Sequence, residues 1–361
     1  MNNKILSIII PSYNMQEYLH RSIESLLSES IIKDIEIIIV NDGSTDKTLE
    51  IAQKYYEKNP TSITIINKKN GHYGSAVNAG IAKASGTYLK VLDADDWFNT
   101  EEFILFVKKL HQIPLCDVIF TNWCLNDTYN KEQKFSENFL NPYDYKLNID
   151  ELTIKEIPLS FYSFFSLYAI TYRTKFLHDI KYKQTEGICY TDVEYIYYPL
   201  IKASTAIFLD YNVYQYFIGR EDQSINPINL KKNIRHHYKI YQRMIKDYEN
   251  ITSPVKKDIQ KTAFIKIASS LYYSYLFSNS PEECKDINLR SLDLTLRKES
   301  PEIYNFIANL KYHGLPYITL WRKFKCNFHL LHKLSYILKS TASIDCSICN
   351  SLALPCASLR S

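Results

Sequence analysis

The sequence predicts an α/β fold: a mostly parallel sheet flanked by helices, followed by a helical C-terminal region. Three observations predict it. Short β-branched runs alternate with segments of helical period through the first 120 residues, the pattern of strands joined by crossover helices. Polar clusters follow three of those runs directly. Beyond about Leu230 the apolar spacing becomes helical, with few glycines or prolines until Gly314-Leu315-Pro316.

Taken in order, Leu6–Ile10 reads as the first strand, and Met15, Tyr18, Leu19, Ile23, Leu26 and Leu27 then recur at helical spacing, one apolar stripe for the sheet. Ile35–Val40 is the second strand. A crossover over Asp46–Tyr56 buries Leu49, Ala52 and Tyr56, and Ile63–Ile66, Tyr88–Leu92 and Asp117–Thr121 complete the strands. Right-handed crossovers bring the carboxyl ends of parallel strands to one edge, where open α/β sheets bind ligands. Tyr129–Pro158 is polar and irregular, with Asn141-Pro142 as a turn, and residues 159–230 are rich in aromatics. The expected division is 1–125 as a ligand-binding half, 126–230 as a second half of the same domain, 231–340 as a helical region and 341–361 as a loose, serine-rich tail.

Composition narrows the function classes. At 361 residues, 46% of them hydrophobic and 23% charged, the chain can bury a sizeable core and is not a disordered segment. A net charge of +4 is too small for a nucleic-acid-binding domain. The apolar run at Leu6–Ile10 stops at Pro11 without a cleavage site, so no signal peptide is expected, and no run is long enough to span a bilayer. Eight cysteines without an export signal read as reduced thiols of a cytoplasmic protein, with Cys346 and Cys349 a lone CxxC pair short of the ligands for structural zinc.

Glycine marks the candidate site. The chain has only eight, where average usage gives about 25. Five of them, Gly43, Gly71, Gly74, Gly80 and Gly86, lie in the α/β segment, and the first three follow expected strands, where a backbone turns or approaches a ligand closely. Pro11-Ser12-Tyr13-Asn14, Asn41-Asp42-Gly43-Ser44-Thr45-Asp46 and Asp93-Ala94-Asp95-Asp96-Trp97 converge if the strands are parallel. Three carboxylates within four residues repel one another unless a cation neutralises them, so the last cluster suggests a hard divalent metal. The plainer alternative is an acidic turn in which Asp96 begins the next helix.

The segments PSYN, VNDGSTD, NGHYGSAVNAGI and YLKVLDADDW, in this order over roughly residues 5–100, resemble the family 2 glycosyltransferases of the GT-A fold. The resemblance implies a GT-A-type, Rossmann-like nucleotide-sugar domain. It implies that Pro11 and Tyr13 line the base pocket, that Asp42 accepts a hydrogen bond from uracil N3, and that Gly71, Gly74 and Asn78 border the nucleotide. Asp93 would lie near the ribose, and Asp95 would bind Mg²⁺ or Mn²⁺ on the diphosphate. Elementary chemistry agrees: an N–H needs an acceptor, and a leaving diphosphate needs a Lewis acid.

Thr185-Glu186-Gly187-Ile188-Cys189-Tyr190-Thr191-Asp192-Val193-Glu194 resembles the acidic motif that supplies the family's catalytic base. Asp192 is the best match, with Glu186 and Glu194 as substitutes and helix capping as its plainer role. Tyr214 to Ser224 resembles the segment that closes over the donor, which makes Arg220 a phosphate ligand; a surface ion pair is the alternative. That segment departs from the Gln-x-x-Arg-Trp of processive synthases, which implies transfer of a single sugar. His236 and His237 read as solvated or packed residues of a helix.

The resemblance thus implies an inverting transfer from a UDP-sugar to a saccharide or lipid-linked acceptor of a bacterial cell-surface polymer, with no nucleic-acid partner. A non-catalytic relative that binds a nucleotide-sugar or a protein is the alternative. Neither G-x-G-x-x-G nor a P-loop is present to support a dinucleotide or NTP enzyme. Residues 312–340 mix Arg322, Lys323, Lys325, Lys333 and Lys339 with Trp321, Phe324, Phe328, Leu331 and Tyr336. Such a segment either rests peripherally on the inner face of the plasma membrane or packs its aromatics on the catalytic domain and leaves its lysines in water.

Overall fold

The computed structural model describes residues 4–127, 132–135, 143–149, 166–219, 233–277, 284–312, 314–325 and 327–328. Arg220, the CxxC pair and the 341–361 tail lie outside them. Two compact units divide the chain, one formed by 1–221 with 251–259 and the other by 222–250 with 260–361.

The first unit contains β1 (Leu6–Ser12), α1 (Leu19–Glu24), β2 (Ile35–Asp42), α2 (Thr48–Lys58), β3 (Ile63–Lys68), α3 (His72–Lys83), β4 (Tyr88–Val91), β5 (Trp97–Phe98), α4 (Thr100–Leu110) and β6 (Val118–Asp127). It continues through β7 (Glu132–Phe135), β8 (Tyr143–Asn148), β9 (Ile170–Arg173), α5 (Thr174–Asp179), α6 (Asp192–Lys202) and β10 (Thr205–Ile218). The sheet order is β3-β2-β1-β4-β9-β6-β10-β5, with β7 on β6 and β8 on β10. From β3 to β4 every pairing is parallel. Every residue of β1 is buried, as the continuous apolar run of a two-sided parallel strand requires.

Beyond β4 the sheet is mixed. β9 enters antiparallel between β4 and β6, although it comes from the aromatic-rich stretch in which no strand was expected. Its end is fixed by Asp117, whose carboxylate accepts from Arg173 Nη2 at 2.8 Å and from the amides of Ser204 and Thr205 at 2.9 and 3.1 Å. The segment expected to be irregular supplies β7 and β8, short strands paired antiparallel to longer ones.

Two local readings change. The helix expected over residues 15–27 is shortened to α1, and the chain before it is tied to the start of α2, the amides of Met15 and Gln16 donating to Thr48 Oγ1 and Asp46 Oδ2 at 2.7 and 3.1 Å. Gly74, expected at a turn after a strand, belongs with Gly80 to α3. Both serve close packing: a Cβ on Gly80 would collide with Ile9 of β1, and one on Gly74 with the Thr185 carbonyl oxygen.

The second unit holds α7 (Ile234–Lys246), the part of α8 (Pro254–Phe277) from Gln260 onward, α9 (Leu289–Glu299), α10 (Pro301–Ile307) and α11 (Tyr317–Phe324). His237 is buried in α7, as a packed residue. Arg322 of α11 forks onto Asp293 of α9, Nη2 to Oδ1 at 2.6 Å and Nε to Oδ2 at 3.0 Å, while its Nη1 donates to the Tyr304 carbonyl at 2.8 Å. Tyr272 also donates to Asp293, and Trp321 packs edge-on to Tyr272 with centroids 5.7 Å apart. Phe328 stacks on Phe277. Trp321, Arg322 and Phe328 are therefore interior residues, and of the basic-aromatic segment only Lys323, exposed Phe324 and Lys325 remain on the described surface. Among the described residues no helix is long and apolar enough to cross a membrane.

Candidate active site

The carboxyl ends of β1 and β2 form the first wall. Pro11 is buried and Tyr13 is 47% exposed. The two strand ends are laced together: Asn14, at φ 54°, accepts the Thr45 amide on its side chain at 2.9 Å. Asp46 accepts from Gln16 and Thr48; burial works against its ionised form, but these bonds prevail and hold its pKa below the usual range. Asp42, only 3% exposed, is held by Lys68 Nζ at 2.7 Å and by the Gly71 amide at 3.0 and 3.2 Å to its two oxygens. Its Oδ2 has only the longer of those contacts, which leaves acceptor capacity for a ligand N–H.

The turn after β4 is the second wall. The Asp96 amide donates to the Asp93 carbonyl at 3.0 Å and closes it. Asp96 is fully buried, accepting from Tyr214 Oη at 2.6 Å and from the Phe217 amide at 2.7 Å. Burial, with the charges of Asp95 and Asp93 beside it, pushes its pKa well above the carboxylate range. Asp96 is thus a brace of the turn, and α4 starts later, at an Asn99 cap that accepts the Glu102 amide. Tyr214 Oη also accepts the Asp93 amide at 3.1 Å. From the other side Arg21 donates to the Asp95 carbonyl at 2.6 Å, its guanidinium stacked 3.9 Å from the Trp97 centroid and 4.6 Å from that of Phe217.

Asp93 and Asp95 are the half-buried carboxylates of this turn. Among the described residues no group of three or more His, Cys, Asp or Glu side chains forms a complete metal cage. One or two hard carboxylates in a field that already raises the pKa of Asp96 fit a Mg²⁺- or Mn²⁺-type ion, which keeps its other positions for water and phosphate oxygens.

The third wall is the segment 184–191 leading into α6, and α3 faces it. Asp192 opens α6 and is half-buried. Gly71 and Gly187 are joined backbone to backbone, N to O at 2.8 Å, with Gly187 at φ 76°. Asn78 bonds to Gln184 and Glu186, and Glu194, fully buried, to Thr185. Cys189 Sγ lies 3.5 Å from His72 Nδ1, and both Tyr190 and His72 have positive φ.

Tyr73 joins the second and third walls. Its hydroxyl donates to Asp93 Oδ1 at 2.8 Å. Burial, then the Asp93 carboxylate and the more distant charge of Asp192, push its pKa well above the ordinary tyrosine value. Asp93 and Asp192, about a hundred residues apart in sequence, therefore act on one hydroxyl. Pro11, Asp42 and Gly71 meet at one strand edge, whereas Gly74 and Asn78 are turned to the 184–191 segment. Arg21, Lys68, Tyr73 and Tyr214 escaped the sequence reading. Tyr73 and Tyr214 both sat inside quoted segments, where the glycines of the one and Arg220 of the other drew the attention.

The chain is similar in sequence and in fold to known proteins. The family model described as Glycosyl transferase family 2 matches residues 7–170. A chondroitin synthase of Pasteurella multocida (strain Pm70) is 40% identical over 123 residues, 34% of this chain and 12% of that protein. The uncharacterized glycosyltransferase EpsJ of Bacillus subtilis (strain 168) is 40% identical over 111 residues, 31% of this chain and 32% of that one. The chain thus spans at most about a third of the length of these two relatives. Among solved structures, S. aureus TarS 1–349 in complex with UDP-GlcNAc superposes with a TM-score of 0.61 at 19% identity, over 83% of this chain and 82% of that one. At that identity the likeness is one of fold.

Proposed function

We propose that this chain, which belongs to the family 2 glycosyltransferases through residues 7–170, moves a single sugar from a UDP-sugar to a hydroxyl of a cell-surface glycan or lipid-linked saccharide, with inversion. The carrying observation is helix α3, whose Tyr73 hydroxyl binds Asp93 and whose Asn78 and Gly71 hold the 184–187 segment that leads to Asp192, which ties the donor-side turn to the candidate base. UDP as the nucleotude carrier is supported by the fold shared with TarS, which was solved with UDP-GlcNAc.

On this reading Pro11 and Tyr13 flank the uracil, Asp42 accepts its N3–H, and Asp93 takes a ribose hydroxyl. Gly71, whose amide holds the Asp42 carboxylate, borders the nucleotide. Mg²⁺ or Mn²⁺ held by Asp95 would neutralise charge on the diphosphate. The acceptor oxygen forms its bond to the anomeric carbon as the bond from that carbon to the UDP oxygen breaks on the opposite face. The acceptor's proton passes to a carboxylate oxygen of Asp192. Arg220 is assigned to a donor phosphate by its place in the motif alone.

The enzyme would work in the cytoplasm, with peripheral membrane contact limited to the surface around Phe324 and the residues after it. Flotation with anionic vesicles at low salt, lost in Phe324→Ser with Lys323→Glu and Lys325→Glu, tests that contact. The central test is calorimetry with UDP. Affinity should fall at least tenfold in EDTA and in Asp95→Ala; equal affinity in all three conditions would remove the metal from Asp95.

A further inference from the structure

We infer that Asn78 is a positioning residue for the base: it locks the segment bearing Asp192 to helix α3, instead of lining the nucleotide pocket. The inference rests on Asp192 being that base. Asn78 engages Gln184 as a neighbouring strand would. Its Oδ1 accepts the Gln184 amide at 2.9 Å, and its Nδ2 donates to the Gln184 carbonyl at 3.0 Å and to Glu186 Oε1 at 3.1 Å. Both NH₂ hydrogens have partners, and the carbonyl end has one, so the amide has little left for a ligand.

Three further contacts make the grip continuous. One turn earlier in α3, Gly74 admits the Thr185 carbonyl so closely that any Cβ would collide with it. At the cap of α3, the Gly71 carbonyl accepts the Gly187 amide at 2.8 Å. From the far side, buried Glu194 takes the Thr185 amide at 2.7 Å and the Thr185 hydroxyl at 2.8 Å. Residues 184–187 are thereby held between α3 and the first turn of α6, which carries Asp192. The same α3 reaches Asp93 through Tyr73. Helix α3 is therefore the common support of the donor-side carboxylate and the base. Without the grip the base would sit at the start of a helix whose lead-in is free to shift, and a shift near 1 Å can cost about a hundredfold in rate.

The test uses the full-length chain and measures UDP release from a UDP-sugar, UDP affinity by calorimetry, thermal stability, and hydrogen exchange of the 184–194 amides. In Asn78→Ala, kcat should fall about 10- to 100-fold with donor KM and UDP affinity within twofold of the parent, and the Gln184, Thr185 and Gly187 amides should exchange faster. Asn78→Asp keeps the acceptor for the Gln184 amide but sets a carboxylate against Glu186, so its kcat should fall further and recover in part in Asn78→Asp with Glu186→Gln. A weakened UDP affinity with kcat retained would return Asn78 to the nucleotide pocket and overturn the inference, as would unchanged exchange at all three amides. Asp192→Asn, assayed in parallel, separates the two questions: if it keeps its rate, the base assignment fails, whereas the exchange data still read the grip.

Discussion

The Asp93–Asp96 turn and the Gln184–Glu194 segment both present acid groups, yet they are held in opposite ways. The turn is braced by side chains that manage charge: Tyr214 donates to Asp96, Tyr73 to Asp93, and the stacked guanidinium of Arg21 to the Asp95 carbonyl. The segment is held chiefly at its main chain, by the Gly71 carbonyl on Gly187, the Asn78 amide on Gln184 and the Glu194 carboxylate on the Thr185 amide. The difference teaches what each place requires. Crowded carboxylates need donors and a counter-charge, whereas a single base needs its main chain fixed.

The largest expected effect comes from the segment. Asp192→Asn should lower kcat by about 10²- to 10⁴-fold while UDP affinity stays within twofold, because an amide keeps the shape but takes no proton. Steady-state kinetics beside calorimetry would show it. A nearly full rate would transfer the role to Glu186, since Glu194 is buried and committed to Thr185.

In the turn the damage should fall on stability and donor binding. Tyr214→Phe removes the donor to Asp96 Oδ2 and the acceptor of the Asp93 amide, at a cost of about 1–3 kcal/mol for groups left without partners. Denaturant unfolding should register that loss, with kcat reduced far less than in Asp192→Asn. If stability is untouched, the turn does not depend on its tyrosine brace and the contrast between the two places collapses.

The smallest effect concerns Lys90 on β4, fully buried, with Nζ donating to the Tyr168 and Ile170 carbonyls at 2.8 and 3.1 Å. Burial lowers its pKa to about 7. An unfolded lysine keeps its proton to about pH 10.4, so from about pH 7 upward unfolding takes up a proton and stability rises with pH. The slope has a ceiling of about 1.4 kcal/mol per pH unit. Below pH 7 both states are protonated and this contribution is flat. Lys90→Met should remove that part of the slope between pH 7 and 9; identical slopes in the two proteins would mean that Lys90 stays charged in the fold.

How much was legible follows from the same contrast. Strands β1 to β4 could be read because each has a short, mostly apolar and β-branched run at its centre, and Asp42, Asp93 and Asp95 because they follow such runs closely. Strand β9 could not: Ile170-Thr171-Tyr172-Arg173 is short and enters the sheet antiparallel, out of chain order. Helix α3 was not read as a helix, since the two glycines inside it lower helix propensity, while the reason for Gly74 and Gly80 lies in Thr185 and Ile9, which a local window does not contain. Arg322 was read as a surface cation for the same reason, its partner Asp293 lying 29 residues away.

That last pair also decides where the chain can be shortened. The side chains of Arg322 and Asp293 are 11% and 6% exposed, so a polypeptide ending before Tyr317 would keep α9 but strand its carboxylate in the interior with only a tyrosine hydroxyl for company. Removing one member of such a buried pair costs about 3–5 kcal/mol, a large share of what holds a small helical unit together. The lower limit for a stable shortened form is therefore set by a counter-ion: every version that retains Asp293 has to retain Arg322 as well.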